Sequence, residues 1–330
     1  MKRRRRDPAS LSPACVPAAR PAVLLVLLAA LALLAAPRPA RAASPGVPPE
    51  IQKALDDLYG GNPDAALAAA RNYQRAQPDD PLGYLLEGEV RWWTLYCSAS
   101  EIKWGMVDAW QLPKDSRYQA YLNTTKQAIH LAEAQLKAGE SARAHLYAGM
   151  GYALEARLYG LRGQSRATAR AGVHGRKHLL KALESDPSLA DADTGLGLYN
   201  YYVDTLSPMV KVLRFFMGIP GGSKRAGIRQ LRVAMSRGQL TAVEARFYLA
   251  KNLRTYDHQY AQARDLLEPL AKRYPRNPVF LLALGDVEAE LGHAAQASAE
   301  LRRVEQLDIP DAACARRSRE LARQLVQATH

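Results

Sequence analysis

Two histidines four positions apart, His174 and His178, form the most suggestive chemical pair of the sequence. On a helix this spacing brings two imidazoles to one face, where they can bind one metal ion. No Glu or Cys stands beside them, and Arg176 and Lys177 lie between them, which disfavours a bound cation. The pair also continues a face of arginines on the same helix. We therefore predict no metal site.

Other motifs of catalysis or nucleotide binding are incomplete. Gly195-Leu196-Gly197 begins like a dinucleotide fingerprint but has neither its third glycine nor a preceding strand. Residues 218–224, GIPGGSK, lack the Gly-Lys-Ser/Thr ending of a phosphate loop, although such an amide-rich turn can bind an anion weakly. Ser100 and Lys103 match Ser-x-x-Lys without its partner motifs. We predict no enzyme and no cofactor, and we expect the glycines at 195 and 197 to permit close helix packing.

The N-terminus has the organisation of an export signal. A basic segment, Lys2–Arg6, precedes an apolar run over 22–36 that is too short for an ordinary transmembrane helix. Ala40-Arg41-Ala42 is a small-x-small cleavage site. We expect a signal peptide over 1–42 and an exported domain over 43–330, in the periplasm or associated with the cell envelope. The alternative is an uncleaved anchor in the inner membrane.

Charge then has to be counted on the exported part. Without residues 1–42 the chain holds 37 basic and 31 acidic residues, a net charge of +6 in place of +13. Nucleic acid is therefore not an expected partner. Cys97 and Cys314 remain in the exported part, 217 positions apart. In an extended array such residues would seldom come within disulfide distance, so we predict two separate buried thiols.

Helical repeats account for the rest of the chain. Ala54 and Gly88 are 34 residues apart, and so are Ala263 and Ala297. This is the tetratricopeptide period, and the chain resembles that superfamily. Apolar residues recur at three and four positions, and no alternating strand pattern is present. The sequence predicts an all-α solenoid of antiparallel helix pairs without a sheet. Its helices include 82–96, 116–137, 142–161 and 166–183, and a terminal cap covers about 311–328. The segment 98–112, with its tryptophans, should be an irregular connection.

One insertion, about 204–222, interrupts the repeats. Ser207-Pro208 and Gly218 bound a short helix whose apolar side chains follow one face. This face comprises Met209, Val212, Leu213, Phe216 and Met217. Val210 and Phe215 widen it, and Lys211 and Arg214 lie opposite. Such a helix either fills the superhelical groove as core or forms a docking surface for a partner helix or a membrane.

Charge distribution bears on the second alternative. The stretches 156–183 and 205–243 hold seven basic residues each and no acidic residue, so a basic middle lies within an acidic remainder. Such a field attracts anionic partners, although solvated helix faces would give the same pattern. The candidate anion- or lipid-facing residues are Lys211, Arg214, Lys224, Arg225 and Arg229.

Three clustered tyrosines, Tyr199, Tyr201 and Tyr202, precede the insertion. At these spacings they cannot all face the core, so at least one ring should line a groove. We expect them to contribute to partner binding together with Met209, Leu213, Phe215, Phe216 and Met217. The alternative is that two of the three rings pack in the core.

A narrower resemblance covers this central stretch. GLGLYNYY, a Leu-Ser-Pro turn, an apolar helix, Gly-Ile-x-Gly-Gly and a basic helix resemble the tetratricopeptide family of fungal mitochondrial outer-membrane and inclusion-clearance proteins. Animal relatives and exported bacterial repeat proteins share this form, and Tyr201-Tyr202 with the double glycine is more similar to the bacterial version. The resemblance implies a helical array that works near membranes or lipid stores, without catalytic residues.

Two functions follow from these features. The first is an exported, non-catalytic scaffold that binds a protein partner in the cell envelope. The alternative is a peripheral membrane or lipid-binding protein that uses the helix over 208–217 and its basic neighbours on an anionic membrane surface.

Overall fold

A computed structural model describes residues 46–103, 105–112, 115–216 and 218–328 of the chain. The predicted signal peptide over 1–42, Trp104 and Met217 therefore lie outside the described residues, as do the side chains of Leu213 and Phe216. The described part contains 14 helices and one small hairpin. None of these helices has the length and apolar character that crossing a bilayer requires.

Twelve of the helices form six antiparallel pairs in chain order. The pairs are α1 (Pro49–Tyr59) with α2 (Pro63–Ala76), α3 (Pro81–Ala99) with α4 (Arg117–Ala138), α5 (Ala142–Leu161) with α6 (Ser165–Ser185), α7 (Ala192–Thr205) with α9 (Lys224–Arg237), α10 (Ala242–Asp257) with α11 (Tyr260–Arg273), and α12 (Pro278–Glu290) with α13 (Ala294–Gln306). The insertion forms α8 (Pro208–Phe216), and α14 (Ala312–Ala328) ends the array. The predicted all-α helical-repeat fold is confirmed.

Local sequence explains where these helices begin. The side chains of Asn62, Ser141, Ser223 and Asn277 accept hydrogen bonds from backbone amides of the first turn of α2, α5, α9 and α12. Proline occupies the first helical position of α2 and α12, where no intrahelical N–H bond is lost. These caps satisfy donors that a helix start leaves unpaired.

Glycines allow neighbouring helices to cross closely, as the sequence indicates. A Cβ at Gly227 of α9 would lie 2.6 Å from the carbonyl oxygen of Gly197 on α7. Gly195 meets the side chain of Leu179 on α6 in the same way, at 2.5 Å. Both glycines of the dinucleotide-like motif are therefore packing residues.

The described array closes on itself at both ends. The Asn277 side chain before α12 donates to the backbone oxygen of Tyr59 on α1, 3.0 Å away, and Gln52 of α1 donates to the backbone oxygen of Gln239 at 2.8 Å. The last helix, α14, packs against α3. The polar outer side of α14 and its buried Leu321 and Leu325 fit the predicted cap.

A disulfide between Cys97 of α3 and Cys314 of α14 fastens this closure, with the two Cα atoms 5.2 Å apart. The prediction of two separate thiols is wrong. It assumed an extended array, whereas curvature of the array brings α3 and α14 together.

Aromatic side chains fill the inside of the curved array. Trp92 of α3 donates its indole N–H to the hydroxyl of Tyr248 on α10, 2.9 Å away. Trp93 of α3 packs against Phe247 and Phe280, with ring centroids 5.0 and 5.7 Å away. The inside of the curved array is thus occupied by the chain's own α3.

A short antiparallel hairpin follows α3, with β1 (Glu101–Lys103) paired to β2 (Met106–Asp108). The expectation of no sheet and of an irregular connection is wrong at these residues. The cause is tertiary: Arg254 donates to the backbone oxygen of Val107 at 2.6 Å, and the Val107 amide donates to Asp286 at 3.2 Å.

Candidate functional site

Asp204, at the end of α7, connects the two ends of the insertion. Its carboxylate accepts a hydrogen bond from the backbone amide of Lys224, 2.7 Å away, at the start of α9. It also accepts from Lys211 of α8 at 3.3 Å. The Lys224 backbone bond, followed by the Lys211 side chain, lowers the pKa of Asp204. The insertion is therefore fixed at its base.

The turn after α8 packs against α7. Gly218 has φ 66°, and the amides of Gly218 and Ile219 donate back to Phe215 and Arg214, which ends the helix in a Schellman arrangement. The hydroxyl of Tyr199 donates to the Pro220 carbonyl at 2.8 Å. A glycine is required at 222, because a Cβ there would lie 2.5 Å from the backbone oxygen of Asn200.

The apolar side chains of α8 that the structure describes face solvent. Met209 is 83% exposed, Phe215 75%, Val212 57% and Val210 42%. With Leu206 they make up five of the seven exposed large hydrophobic residues of the described chain. These side chains are therefore not part of a core that fills the superhelical groove, which was the first of the two alternatives for this helix. They form an outward apolar surface, which we call the α8 face (Met209, Val210, Val212 and Phe215).

The tyrosines lie beneath this surface. Tyr201 has no exposed area, and its hydroxyl bonds to Asp257 at 2.7 Å and to the backbone oxygen of Asn252 at 3.1 Å. Burial, then its bond to Asp257, raises its pKa. The prediction of Tyr201 as a partner contact is wrong, because an inward-facing residue of α7 cannot reach a partner. Tyr199 and Tyr202 are half-buried.

The predicted basic residues differ in their availability. Lys224 pairs with Asp257 and lies over the Tyr201 ring, so it serves the core. Lys211 is held by Asp204, and Arg214 donates to the Ile219 carbonyl at 2.6 Å. Arg225 and Arg229 are exposed and form no salt bridge with a described residue.

More unpaired cations lie on the outward faces of α6 and α9. Within the described chain, none of the following exposed residues takes part in a salt bridge: Arg166, Arg170, Lys177, Lys181, Arg232 and Arg237. Arg157, from the same basic stretch as α6, is different. Its side chain is only 14% exposed and pairs with Glu89 at 3.3 Å and with Glu244. The stretch is therefore an outward cationic surface with one residue directed into the core.

That internal ion cluster borders a pocket of about 580 Å³, open mouth included, whose lining includes Leu82, Leu85 and Leu86 of α3, Leu154 of α5 and Leu240 before α10. Arg157 also lies over the rings of Trp92 and Tyr248, at 5.8 and 5.3 Å. One guanidinium group thus lies between two carboxylates and two aromatic rings of the core, which suits a structural role. Sequence inspection missed the cluster, because its members are up to 155 positions apart.

His178 contacts His145 and not His174, the histidine four positions before it on the same helix. The Nδ1 atom of His178 lies 2.9 Å from Nδ1 of His145, whose Nε2 lies 3.0 Å from Glu140. Burial, followed by His145, lowers the pKa of His178. His174 is exposed and stacks near Tyr152 instead. Within the described ranges, no three His, Cys, Asp or Glu side chains are arranged to hold a metal ion.

A scan against protein-family models and a search of curated proteins found no match to this chain. The function must therefore be argued from the site itself.

Proposed function

We propose that the protein is a non-catalytic, exported helical-repeat protein that binds the surface of an anionic membrane through the α8 face. The observation that carries the proposal is a nine-residue helix with Met209 and Phe215 almost fully exposed beside uncompensated cations. A short amphipathic helix of this kind lies in the interface plane, with apolar side chains among the acyl chains and cations at the head groups.

Exposure of the apolar side chains of the α8 face to water is energetically unfavourable. Monomeric proteins seldom expose neighbouring large hydrophobic side chains without a binding role. Burial of a Phe or Met side chain contributes roughly 1.5–3 kcal/mol. The α8 face therefore offers a favourable transfer into an apolar phase, and its fixed base at Asp204 means that little order has to be gained on binding.

The charged part of the site selects an anionic surface. No acidic residue occurs over 205–243, and Arg225 and Arg229 at the start of α9 are exposed and form no salt bridge with the described part of the chain. Each basic residue near an anionic leaflet contributes on the order of 1 kcal/mol. A helix with acidic neighbours would be repelled instead.

The scaffold function is the weaker candidate. Superhelical repeat proteins bind extended partners along a concave groove, but α3 fills the inside of this array and Tyr201 is buried. Membership of the tetratricopeptide superfamily remains part of the proposal, supported by six antiparallel helix pairs in series. The Cys97–Cys314 disulfide supports the exported location, because such bonds persist in oxidising compartments.

Sedimentation with lipid vesicles tests the proposal. The protein should bind vesicles that contain phosphatidylglycerol, bind neutral phosphatidylcholine vesicles weakly, and lose affinity as salt increases. Phe215→Asp should reduce the affinity by at least about tenfold, since it removes apolar transfer and adds repulsion.

Ala312→Asp is the matched control. It introduces the same charge at an exposed residue of α14, outside the insertion and outside the cationic surface of α6 and α9, and should retain most of the vesicle affinity. Equal losses in the two variants, or salt-insensitive capture of one protein in place of vesicles, would count against the membrane and in favour of a protein partner.

A further inference from the structure

We infer that Arg176 of α6 and Arg214 of α8, which are grouped around Tyr199 and the turn after α8, form a binding site for the phosphate of an anionic lipid head group. This inference rests on the proposed function and adds a defined recognition site to its general electrostatic attraction. The two arginines belong to different helices and come together only through Tyr199 and the turn after α8.

Tyr199 is the centre of the arrangement. The guanidinium of Arg176 lies over its ring, 5.6 Å from the centroid. Its hydroxyl donates to the Pro220 carbonyl of the turn at 2.8 Å. Both guanidinium groups also act electrostatically on the tyrosine hydroxyl, each opposing the rise in pKa that burial causes. A half-buried ring thus keeps two cations in one region.

Arg214 approaches the same turn from α8. Its Nη1 atom donates to the Ile219 carbonyl at 2.6 Å, and a Cβ at Gly221 would lie only 3.5 Å from that nitrogen. Its Nε atom is buried and has no hydrogen-bond partner among the described residues. A buried donor without a partner is energetically costly, so the guanidinium is not fully satisfied by the described protein groups.

No carboxylate neutralises the two guanidinium groups within the described chain: neither of them takes part in a salt bridge. The acidic residue at the start of the insertion, Asp204, is occupied by Lys211 and the Lys224 amide. Two cations held near one tyrosine without counter-charge repel each other, and an anion relieves that repulsion. Guanidinium groups bind phosphate oxygens through their N–H donors, and no carboxylate of the described chain forms a salt bridge with Arg176 or Arg214.

The position of Arg214 beside the α8 face indicates that the phosphate belongs to a lipid. Arg214 is adjacent in sequence to Phe215 and only two residues from Val212, and both of these side chains are exposed. When the α8 face enters the acyl region, Arg214 and the turn lie at the depth of the head groups. A lipid phosphate would therefore reach this pair at the same time as its acyl chains contact the helix.

The experiment compares two double variants that remove the same charge. Arg176→Gln with Arg214→Gln alters the proposed site, and Arg302→Gln with Arg316→Gln removes two exposed arginines of α13 and α14. Vesicles containing phosphatidic acid are the membrane probe, and glycerol 3-phosphate, followed by ³¹P line broadening, is the soluble probe. We expect the site variant to lose at least about tenfold more vesicle affinity than the control variant.

Each outcome decides between the proposals. If the two double variants lose equal vesicle affinity, the arginine site is overturned. Vesicle binding by the unaltered protein would in that case still uphold the membrane function. Binding of glycerol 3-phosphate alone, dependent on both arginines, would uphold an anion site for a free phosphate and overturn the lipid source. Absence of binding to either probe would overturn both.

A charge-conserving variant covers the case in which the glutamine variant does not fold. Arg176→Lys with Arg214→Lys keeps the positive charge but removes the paired donors. We expect it to bind phosphatidic acid and phosphatidylglycerol vesicles equally, whereas the unaltered protein prefers the phosphomonoester with its additional accessible oxygens. Unchanged preference in the lysine variant would refute recognition by the arginine pair.

Discussion

At the scale of single residues, the ion pair between Arg254 and Asp286 shows how burial sets the energetics. Each side chain is 1% exposed, and Arg254 Nη1 lies 2.9 Å from Asp286 Oδ2. Burial raises the pKa of Asp286 to about 6, more than the attraction of Arg254 lowers it. Burial thus disfavours the ionised form of Asp286. Asp286 and Arg254 together hold the hairpin, because they bond to the backbone amide and the backbone oxygen of Val107.

This raised pKa predicts a specific pH dependence. The folded protein retains a proton on Asp286 that the unfolded chain releases, so this group's stabilisation is present below the unfolded pKa of 3.8 and is lost as the pH rises through about 6. From about pH 7 to about pH 5, the free energy of unfolding of the unaltered protein should increase relative to Asp286→Asn by about 1 kcal/mol. Urea unfolding at the two pH values measures this difference.

Asp265→Asn provides the control, because Asp265 of α11 is 66% exposed. Its unfolding free energy should follow that of the unaltered protein across the same pH interval. The explanation by burial fails if Asp286→Asn and Asp265→Asn respond to pH alike.

At the scale of helices, the crossing of α7 and α9 sets the position of the insertion, since α8 connects these two helices. Their contact depends on Gly197 and Gly227, where backbone faces backbone. Any side chain at this crossing would separate the helices and displace both ends of the insertion. Gly172 of α6 differs, because a Cβ there would lie 3.7 Å from Tyr199, at ordinary contact distance.

Two alanine substitutions test this difference. Gly227→Ala should destabilise the protein by about 1–3 kcal/mol, as overpacking does. Gly172→Ala, also within a helix, should stabilise it by roughly 0.5–1 kcal/mol, because alanine loses less backbone entropy than glycine. Thermal and urea unfolding report both values. A similar sign for the two substitutions would show that close approach is not what selects glycine at 227.

A second element-scale prediction concerns α8 itself. Because Met209 and Val212 are exposed, their joint replacement by serine should change the free energy of unfolding by less than about 0.5 kcal/mol. Leu231→Ala, at a fully buried position of α9, should cost about 2–5 kcal/mol. Urea unfolding separates these cases, and a large cost for the serine variant would mean that the α8 face is part of the core.

At the scale of the whole described chain, closure distinguishes this protein from an open solenoid. Contacts of α1 with the turns before α10 and α12, and of α3 with α14, connect the beginning of the array to its end. Stability in an open array is a sum of neighbour interactions. Here the Cys97–Cys314 bond adds a constraint across 217 positions.

Removal of that bond should therefore affect the molecule as a whole. Cys97→Ser with Cys314→Ser should lower the free energy of unfolding by about 2–5 kcal/mol, the range for loss of a native disulfide. A reductant should lower the melting temperature of the unaltered protein but leave that of the double variant unchanged. If the reductant leaves the unaltered protein unaffected, the closure does not depend on the disulfide.

The sequence by itself determined the helices, their pairing and the insertion. Helix starts are coded locally by residues such as Ser141 and Asn277, and pairing follows from apolar periodicity, so positions within one or two turns are sufficient. The predicted helix over 142–161 coincides with α5, and the predicted bounds of α8 agree with the observed Pro208–Phe216.

Only the tertiary structure decided which side each element presents. The curvature of the array brought Cys97 to Cys314, placed α3 inside the groove, and paired His178 with His145 instead of His174. The same curvature left the α8 face in solvent and buried Tyr201. These outcomes depend on small rotations between successive helix pairs, which accumulate along the chain and which no local stretch of sequence specifies.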